Sequence, residues 1–139
     1  MANKIKHLEM IEKIIERMAK NCFQLKGWAM TLVALVGALG AKEAEPKYML
    51  LAFIPIPAFW LLDAFYVRQE RRYKALYREV TETEEKDNNF NLNTRLVKFT
   101  DEEAKRNCFC RCLFSVSELL FYLPMTVALV VLAIILKVF

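Results

Sequence analysis

Apolar residues fall in three blocks along the chain of 139 residues, and most charged residues lie between those blocks. The blocks cover 27–41, 48–67 and 113–139, and the last contains the run LLFYLPMTVALVVLAIILKVF, with Lys137 as a charge near its end. A helix needs about 20 apolar residues to cross the ~30 Å hydrocarbon core of a bilayer. The pattern therefore predicts an all-α integral membrane protein, with three transmembrane helices in a single domain over 1–139.

The first two spans are predicted at 23–41 and 47–67, and the third occupies the final apolar block. Pro55 and Pro57 each remove a backbone donor, which predicts a kink near the centre of the second span. The helical spacing of apolar residues continues past this span, so its helix is predicted to extend into the cytoplasm to about residue 84. The residues that carry this spacing are Leu62, Tyr66, Tyr73, Leu76, Tyr77 and Val80.

The remaining segments are predicted to form a cytoplasmic helical layer. Residues 4–26 repeat apolar positions every three or four residues. This amphipathic helix packs on the other cytoplasmic helices, lies along the bilayer surface or forms an oligomerising stalk. A polar, Asn-rich connector follows at 85–99. The sequence TDEE at 100–103 is a capping box, which predicts a helix over 101–112 that continues through the Cys-rich CFCRC sequence into the third span.

The distribution of basic residues predicts the orientation in the membrane. Lys and Arg concentrate in 1–27 and 68–112, whereas the short connection between the first two spans holds Lys42 and Lys47. Basic residues favour the cytoplasmic side, so the N-terminus is predicted inside and the C-terminus outside. The net charge of +4 suits a protein facing anionic lipid and does not by itself indicate a nucleic-acid ligand.

Three charged residues of both signs are predicted at one level inside the membrane: Lys26, Asp63 and Glu118. Intramembrane charges are costly and usually face a cavity, a pore or each other. One interpretation is a buried lock that joins the three helices. The other is a ring of carboxylates at the cytoplasmic mouth of a pore, repeated by symmetry in an oligomer.

A basic and aromatic segment continues the second span at 67–80, and we call it the basic helix. Its candidate binding residues are Arg68, Arg71, Arg72, Tyr73, Lys74, Tyr77 and Arg78. One interpretation is anchoring at the inner membrane surface with aromatic packing. The other is a site for phosphate, a nucleotide or an oligonucleotide, because Arg forks and aromatic faces suit such ligands.

The cysteines and the single histidine are not predicted to form a metal site. Cys108, Cys110 and Cys112 lack the paired spacing of zinc ligands, so we interpret them as small apolar residues at the membrane boundary, with lipidation or redox sensing as alternatives. His7 is predicted to lie on the surface. The sequence holds no Gly-rich phosphate loop, nucleophile elbow or His-Glu metal motif, and we predict no cofactor, no metal and no enzymatic activity.

Four segments of the chain carry a resemblance to a known family: KIKHLEMI, RMAKNCFQLKGWAMTLVAL, FWLLDAFYVRQERRYKALYREV and NFNLNT. With these segments the chain resembles a family of small bacterial three-span membrane proteins. Its members are similar in plan to the membrane effectors of anti-phage defence systems. In those systems a nucleotide or oligonucleotide signal from a partner enzyme controls a membrane protein that depolarises the infected cell. The resemblance thus implies a location in the bacterial inner membrane, a role as a defence effector and control by a nucleotide-type ligand or a cytoplasmic partner protein.

One protomer with three spans has too few helices to enclose a wide pore, so a pore requires a symmetric homo-oligomer. The leading hypothesis is an oligomeric ion channel in the lipid bilayer. The alternative is a non-conducting scaffold that recruits a cytoplasmic partner. A pore should place a polar or small-residue stripe on the oligomer axis, whereas a scaffold should have a dry core and a partner-facing patch on the connector.

Overall fold

A computed structural model describes residues 2–42, 46–83 and 90–136, and every regular element in those ranges is helical. Three of the helices are long and apolar enough to cross a membrane. The predicted all-α fold is therefore confirmed, and three helices have the length and apolar composition that the predicted spans require.

The first helix, α1, covers Ala2–Lys42 without a break. The predicted amphipathic helix and the first span are thus two parts of one rod. Its 41 residues correspond to a length of about 60 Å, roughly twice the hydrocarbon thickness of a bilayer. The N-terminal half of α1 must therefore project from the membrane.

The second span has two parts. A 3₁₀ helix covers Pro46–Phe53, and the α-helix α2 then runs over Pro55–Glu82. The predicted α-helical span over 47–67 with a central kink is therefore wrong in its first part. Pro55 and Pro57 lie in the first turn of α2, where the backbone donors have no partner within the helix. The prolines start the α-helix, and α2 then continues beyond the apolar block as predicted.

The chain after the connector is less regular than predicted. The capping box is confirmed, because the Thr100 hydroxyl accepts from the Glu103 amide while the Glu103 carboxylate accepts from the Thr100 amide. The single helix predicted over 101–112 and onward is wrong. The structure has three helices instead: α3 over Asp101–Arg106, α4 over Phe109–Leu113 and α5 over Val116–Ile135.

The breaks between these helices have a physical cause in α2. The carbonyl of Arg106 accepts from Arg71 at 2.7 Å, and that of Asn107 accepts from Arg68 at 3.1 Å. At the second break, the carbonyl of Leu113 accepts from Trp60 Nε1 at 2.9 Å. Donors on α2 therefore satisfy carbonyl groups at both helix ends, which would otherwise lack partners.

Two hydrophobic clusters hold the bundle together, and α1 contributes to both. The cluster in the membrane consists of Ala29, Val33, Ala52, Ile56, Tyr122, Leu129 and Ala133. The cluster outside it consists of Ile11, Ala75, Leu76, Val80 and Val97. At the N-terminal end of α1, the Lys4 ammonium donates to the carbonyls of Thr81 and Thr83, each at 2.7 Å. The amphipathic part of α1 thus packs on its own protein, in agreement with the first of the three predicted arrangements.

The capping box predicts a local stability effect. Replacing Thr100 with alanine should destabilise α3 by about 0.5–2 kcal/mol, because the Glu103 amide loses its acceptor. Hydrogen exchange measured at the amides of Glu103 and Ala104 should become faster. Thr81→Ala is the control, because the exposed Thr81 hydroxyl donates only within α2. In this variant the exchange at the amides of Glu103 and Ala104 should not change. Unchanged exchange in Thr100→Ala would contradict the role of the box.

The Glu103 carboxylate adds a dependence on pH. The backbone amide of Thr100, together with Arg78 at 2.9 Å, lowers the pKa of Glu103. A carboxyl group whose pKa is lowered in the folded state stabilises that state above its ordinary pKa, and this contribution is lost as the pH falls through the lowered value. The protection of the α3 amides against hydrogen exchange should therefore fall when the pH of the wild type is lowered below about 4. The same protection should change less with pH in Glu103→Gln.

Candidate functional site

The structure joins the three charged residues predicted inside the membrane. Lys26 on α1 places its ammonium 2.5 Å from Oδ2 of Asp63 on α2 and 2.9 Å from Oε1 of Glu118 on α5. Both carboxylates are fully buried, and the Lys26 side chain is 16% exposed. One ammonium therefore ties together all three membrane helices of a single protomer.

The cluster has more acceptor oxygens than donors. The Tyr122 hydroxyl donates to Oδ2 of Asp63 at 3.3 Å. Oδ1 of Asp63 and Oε2 of Glu118 are buried and have no hydrogen-bond partner among the described residues. Two carboxylates thus depend on one ammonium, so Lys26 is the residue whose loss would leave the most uncompensated charge in the bundle.

An aromatic group lies next to this cluster, and sequence reasoning missed it. Tyr122 is fully buried and stacks on Trp60 with ring centroids 6.0 Å apart. Phe114 packs edge-on against Trp60, with ring centroids 6.2 Å apart. Helical spacing could have found both partners, because Tyr122 follows Glu118 by one turn and Trp60 precedes Asp63 by three residues.

The basic helix uses several of its predicted ligand-binding residues to hold the chain between the connector and the third span. Arg68 and Arg71 donate to the carbonyls of Asn107 and Arg106 at the first helix break. Arg71 also donates to the Ser115 hydroxyl at 3.4 Å, and Arg78 donates to the Glu103 carboxylate at 2.9 Å. These arginines therefore act as tethers between α2 and the segment 103–115.

The other predicted residues of the basic helix point in several directions. Lys74 pairs with Glu70 on the same helix at 2.6 Å, Tyr73 packs against the cluster outside the membrane, and Tyr77 is exposed. Burial and the nearby Arg68 and Arg95 lower the pKa of Arg72. The structure does not bring the seven predicted residues into one site, because they lie on different faces of α2.

Arg71 lines three cavities at the basic end of the bundle, one of about 150 Å³ and two larger ones. The first of the two larger cavities, of about 400 Å³, lies beside the charged cluster and includes Lys26, Glu70 and Lys74 in its wall. The second, of about 360 Å³, lies at the start of α5 and includes Arg106 and Arg111. The three arginines of the second cavity come from three different segments of the chain, so no single sequence motif predicts their meeting.

The outward side of α1 carries a continuous stripe of polar and small residues, which we call the α1 stripe. Its members repeat every three or four residues and are all exposed in the protomer: Lys20, Gln24, Gly27, Thr31, Ala34 and Ala38. The neighbouring outward positions are large and apolar, with Trp28 62% exposed and Leu35 60% exposed. The first span therefore has one face suited to lipid and another that is less apolar.

The remaining candidate groups do not form a metal site in the described part of the chain, where no cluster of three His, Cys, Asp or Glu side chains could hold an ion. Cys22 and Cys112 are buried, Cys108 and Cys110 are exposed, and all four are free thiols. The predicted surface position of His7 is wrong. His7 is buried and lies against Phe90, with ring centroids 5.3 Å apart, because the end of the connector covers the start of α1.

Comparisons with protein-family models, with curated proteins and with solved structures found no match to this chain.

Proposed function

We propose that this protein forms a symmetric homo-oligomeric ion channel in the bacterial inner membrane, with the α1 stripe facing the axis. The observation that carries the proposal is the stripe itself, because polar and small side chains repeat along one outward face of the first span. Gln24 lies at the cytoplasmic end of the span, and the Thr31 hydroxyl donates to the Gly27 carbonyl at 2.9 Å. A water-filled axis would solvate the Gln24 amide and the small, weakly apolar surface that follows it.

The charged cluster supports a different role from the predicted carboxylate ring. Asp63 and Glu118 are fully buried within one protomer and share the Lys26 ammonium. An oligomer axis would have to lie outside this core, so the carboxylates are better suited to locking the three helices together than to lining the pore. In the proposed channel the cluster holds α1 at a fixed rotation, and this rotation directs the stripe toward the axis.

The biological role rests on the resemblance to small bacterial membrane effectors. On that basis we propose that the channel depolarises the cell during anti-phage defence, under the control of a cytoplasmic nucleotide-type ligand or a partner protein. Since Arg68, Arg71 and Arg78 already bind groups of the chain itself, such a ligand would compete with these tethers. It would thereby move the segment between α2 and α5.

A non-conducting scaffold is the second candidate, and one observation favours it. The connector exposes two large apolar side chains, because Leu96 is 67% exposed and Phe90 is 41% exposed. Exposed large apolar groups outside the membrane are typical of a contact with another protein. A scaffold would use these two side chains for recruitment and would not conduct ions.

The test of the α1 stripe is a change of ion selectivity. In Gln24→Glu, a carboxylate repeated around the axis should raise the permeability of cations relative to anions. The measurement is the reversal potential of the purified oligomer in a planar bilayer under a salt gradient. The matched control is Gln69→Glu, which introduces the same charge on α2. Conduction with equal selectivity in the two variants would contradict an axis lined by α1.

A further inference from the structure

The cavity at the start of α5 is unusual in its charge. Three arginines line it, namely Arg71 on α2, Arg106 at the end of α3 and Arg111 in α4, together with Ser115. Its wall contains no carboxylate among the described residues. No Asp or Glu in the described ranges forms an ion pair with any of these three arginines. Positive charges that line one cavity without a carboxylate among them favour the binding of an anion.

The partners of these arginines leave donors available for a ligand. Arg71 donates to the Arg106 carbonyl and to the Ser115 hydroxyl, both uncharged acceptors. The guanidinium groups of Arg106 and Arg111 make no hydrogen bond within the described ranges, and both residues are exposed. One planar guanidinium group can donate two parallel hydrogen bonds to two oxygens of the same phosphate. The donor set therefore matches a phosphate group better than a single halide ion.

The position of the cavity indicates where the phosphate comes from. Its membrane side is formed by Phe114, 60% exposed, and Val116, 79% exposed. The same face of α5 continues into the bilayer as a stripe of exposed apolar residues at Leu120, Leu123 and Val127. A molecule that fits both regions carries a phosphate at one end and hydrocarbon chains at the other.

We propose that Arg71, Arg106, Arg111 and Ser115 bind the phosphate of an anionic phospholipid headgroup, with its acyl chains along the outward face of α5. The cavity volume of about 360 Å³ lies in the range of small-ligand sites. The bound lipid neutralises the arginines that meet at the break between α4 and α5. This site does not depend on the proposed channel, because none of its four residues belongs to the α1 stripe.

The test is lipid retention by the full-length protein. Purified protein is exchanged into mixed micelles that contain phosphatidylglycerol or phosphatidylcholine, and the bound lipid is counted by native mass spectrometry. We expect preferential retention of phosphatidylglycerol. Arg111→Gln should weaken this retention about tenfold, since a hydrogen bond to a charged group contributes about 1.5 kcal/mol. Arg106→Gln should have a similar effect, and Arg17→Gln on the exposed side of α1 is the matched control.

Two further measurements keep the result interpretable. Neither Arg106→Gln nor Arg111→Gln removes a side-chain hydrogen bond within the described ranges, so both variants should melt at the temperature of the wild type. A parallel titration with inorganic phosphate distinguishes a lipid from a free anion: millimolar phosphate should not displace phosphatidylglycerol. Equal retention of the two lipids, equal retention by Arg111→Gln and Arg17→Gln, or full displacement by inorganic phosphate would each overturn the proposal.

Discussion

Replacing Lys26 with methionine should lower the free energy of unfolding by about 3–5 kcal/mol, because it leaves two buried carboxylates without their cation. Asp63 and Glu118 are both fully buried, and the Lys26 ammonium bridges them at 2.5 Å and 2.9 Å. The methionine side chain retains most of the packing of the lysine stem. The decrease in the free energy of unfolding therefore comes mainly from the removed charge. Denaturant unfolding in detergent micelles, followed by circular dichroism, measures the effect.

Two further variants show whether the effect comes from the cluster. Lys20→Met removes an exposed ammonium from the same helix and should change stability by less than about 0.5 kcal/mol. The triple variant Lys26→Met, Asp63→Asn, Glu118→Gln removes every charge of the cluster and should recover much of the lost stability. A Lys26→Met protein as stable as Lys20→Met would contradict the role of the cluster as a lock.

Replacing Trp60 with alanine should cost about 3 kcal/mol, the lower end of the range for a large aromatic side chain in a core, because Trp60 is only partly buried. Trp60 stacks on Tyr122, meets Phe114 edge-on and donates to the Leu113 carbonyl. Its removal therefore leaves a cavity and also frees a carbonyl at the break before α5. The same unfolding measurement in micelles tests this prediction.

Trp28→Ala is the matched control, because Trp28 is 62% exposed and lies on the lipid-facing side of α1. We expect its unfolding free energy to stay within about 1 kcal/mol of the wild type. The variant Trp60→Phe should fall between the two, since it keeps an aromatic ring but loses the hydrogen bond to Leu113. Equal stability of Trp60→Ala and Trp28→Ala would show that the aromatic group does not hold α5 in place.

The spans and the charged cluster could be predicted from the sequence because both follow from local constraints. A long apolar run has few alternatives to a membrane helix. A charge within such a run requires a partner at the same depth, and few candidates were available besides Lys26, Asp63 and Glu118. The capping box at Thr100 was similarly local, because its two partners lie three residues apart.

The breaks in the helix after Thr100 could not be predicted, because their causes lie far away in the sequence. Arg68 and Asn107 are 39 residues apart, and Trp60 and Leu113 are 53 residues apart. The helical pattern through the CFCRC sequence gives no sign of these donors. The burial of His7 by Phe90 was missed for the same reason, since an amphipathic helix does not reveal which segment covers its polar face.

The role of the arginines in the basic helix could not be predicted from the sequence either. Arginines spaced along a helix are compatible with a ligand site, with membrane anchoring and with tethering. The sequence does not distinguish these roles, because guanidinium groups bind backbone carbonyls as readily as phosphates. The structure assigns Arg68 and Arg78 to contacts within the chain, and it places Arg71 beside Arg106 and Arg111, which lie on other segments.

The most direct test of the proposed channel is the single-channel conductance of the purified wild-type protein in a planar bilayer, with the oligomeric state verified in the same preparation. We expect discrete conductance steps. A verified oligomer that stays silent, both alone and with nucleotide ligands, would contradict the channel and favour the scaffold that recruits a partner through Phe90 and Leu96.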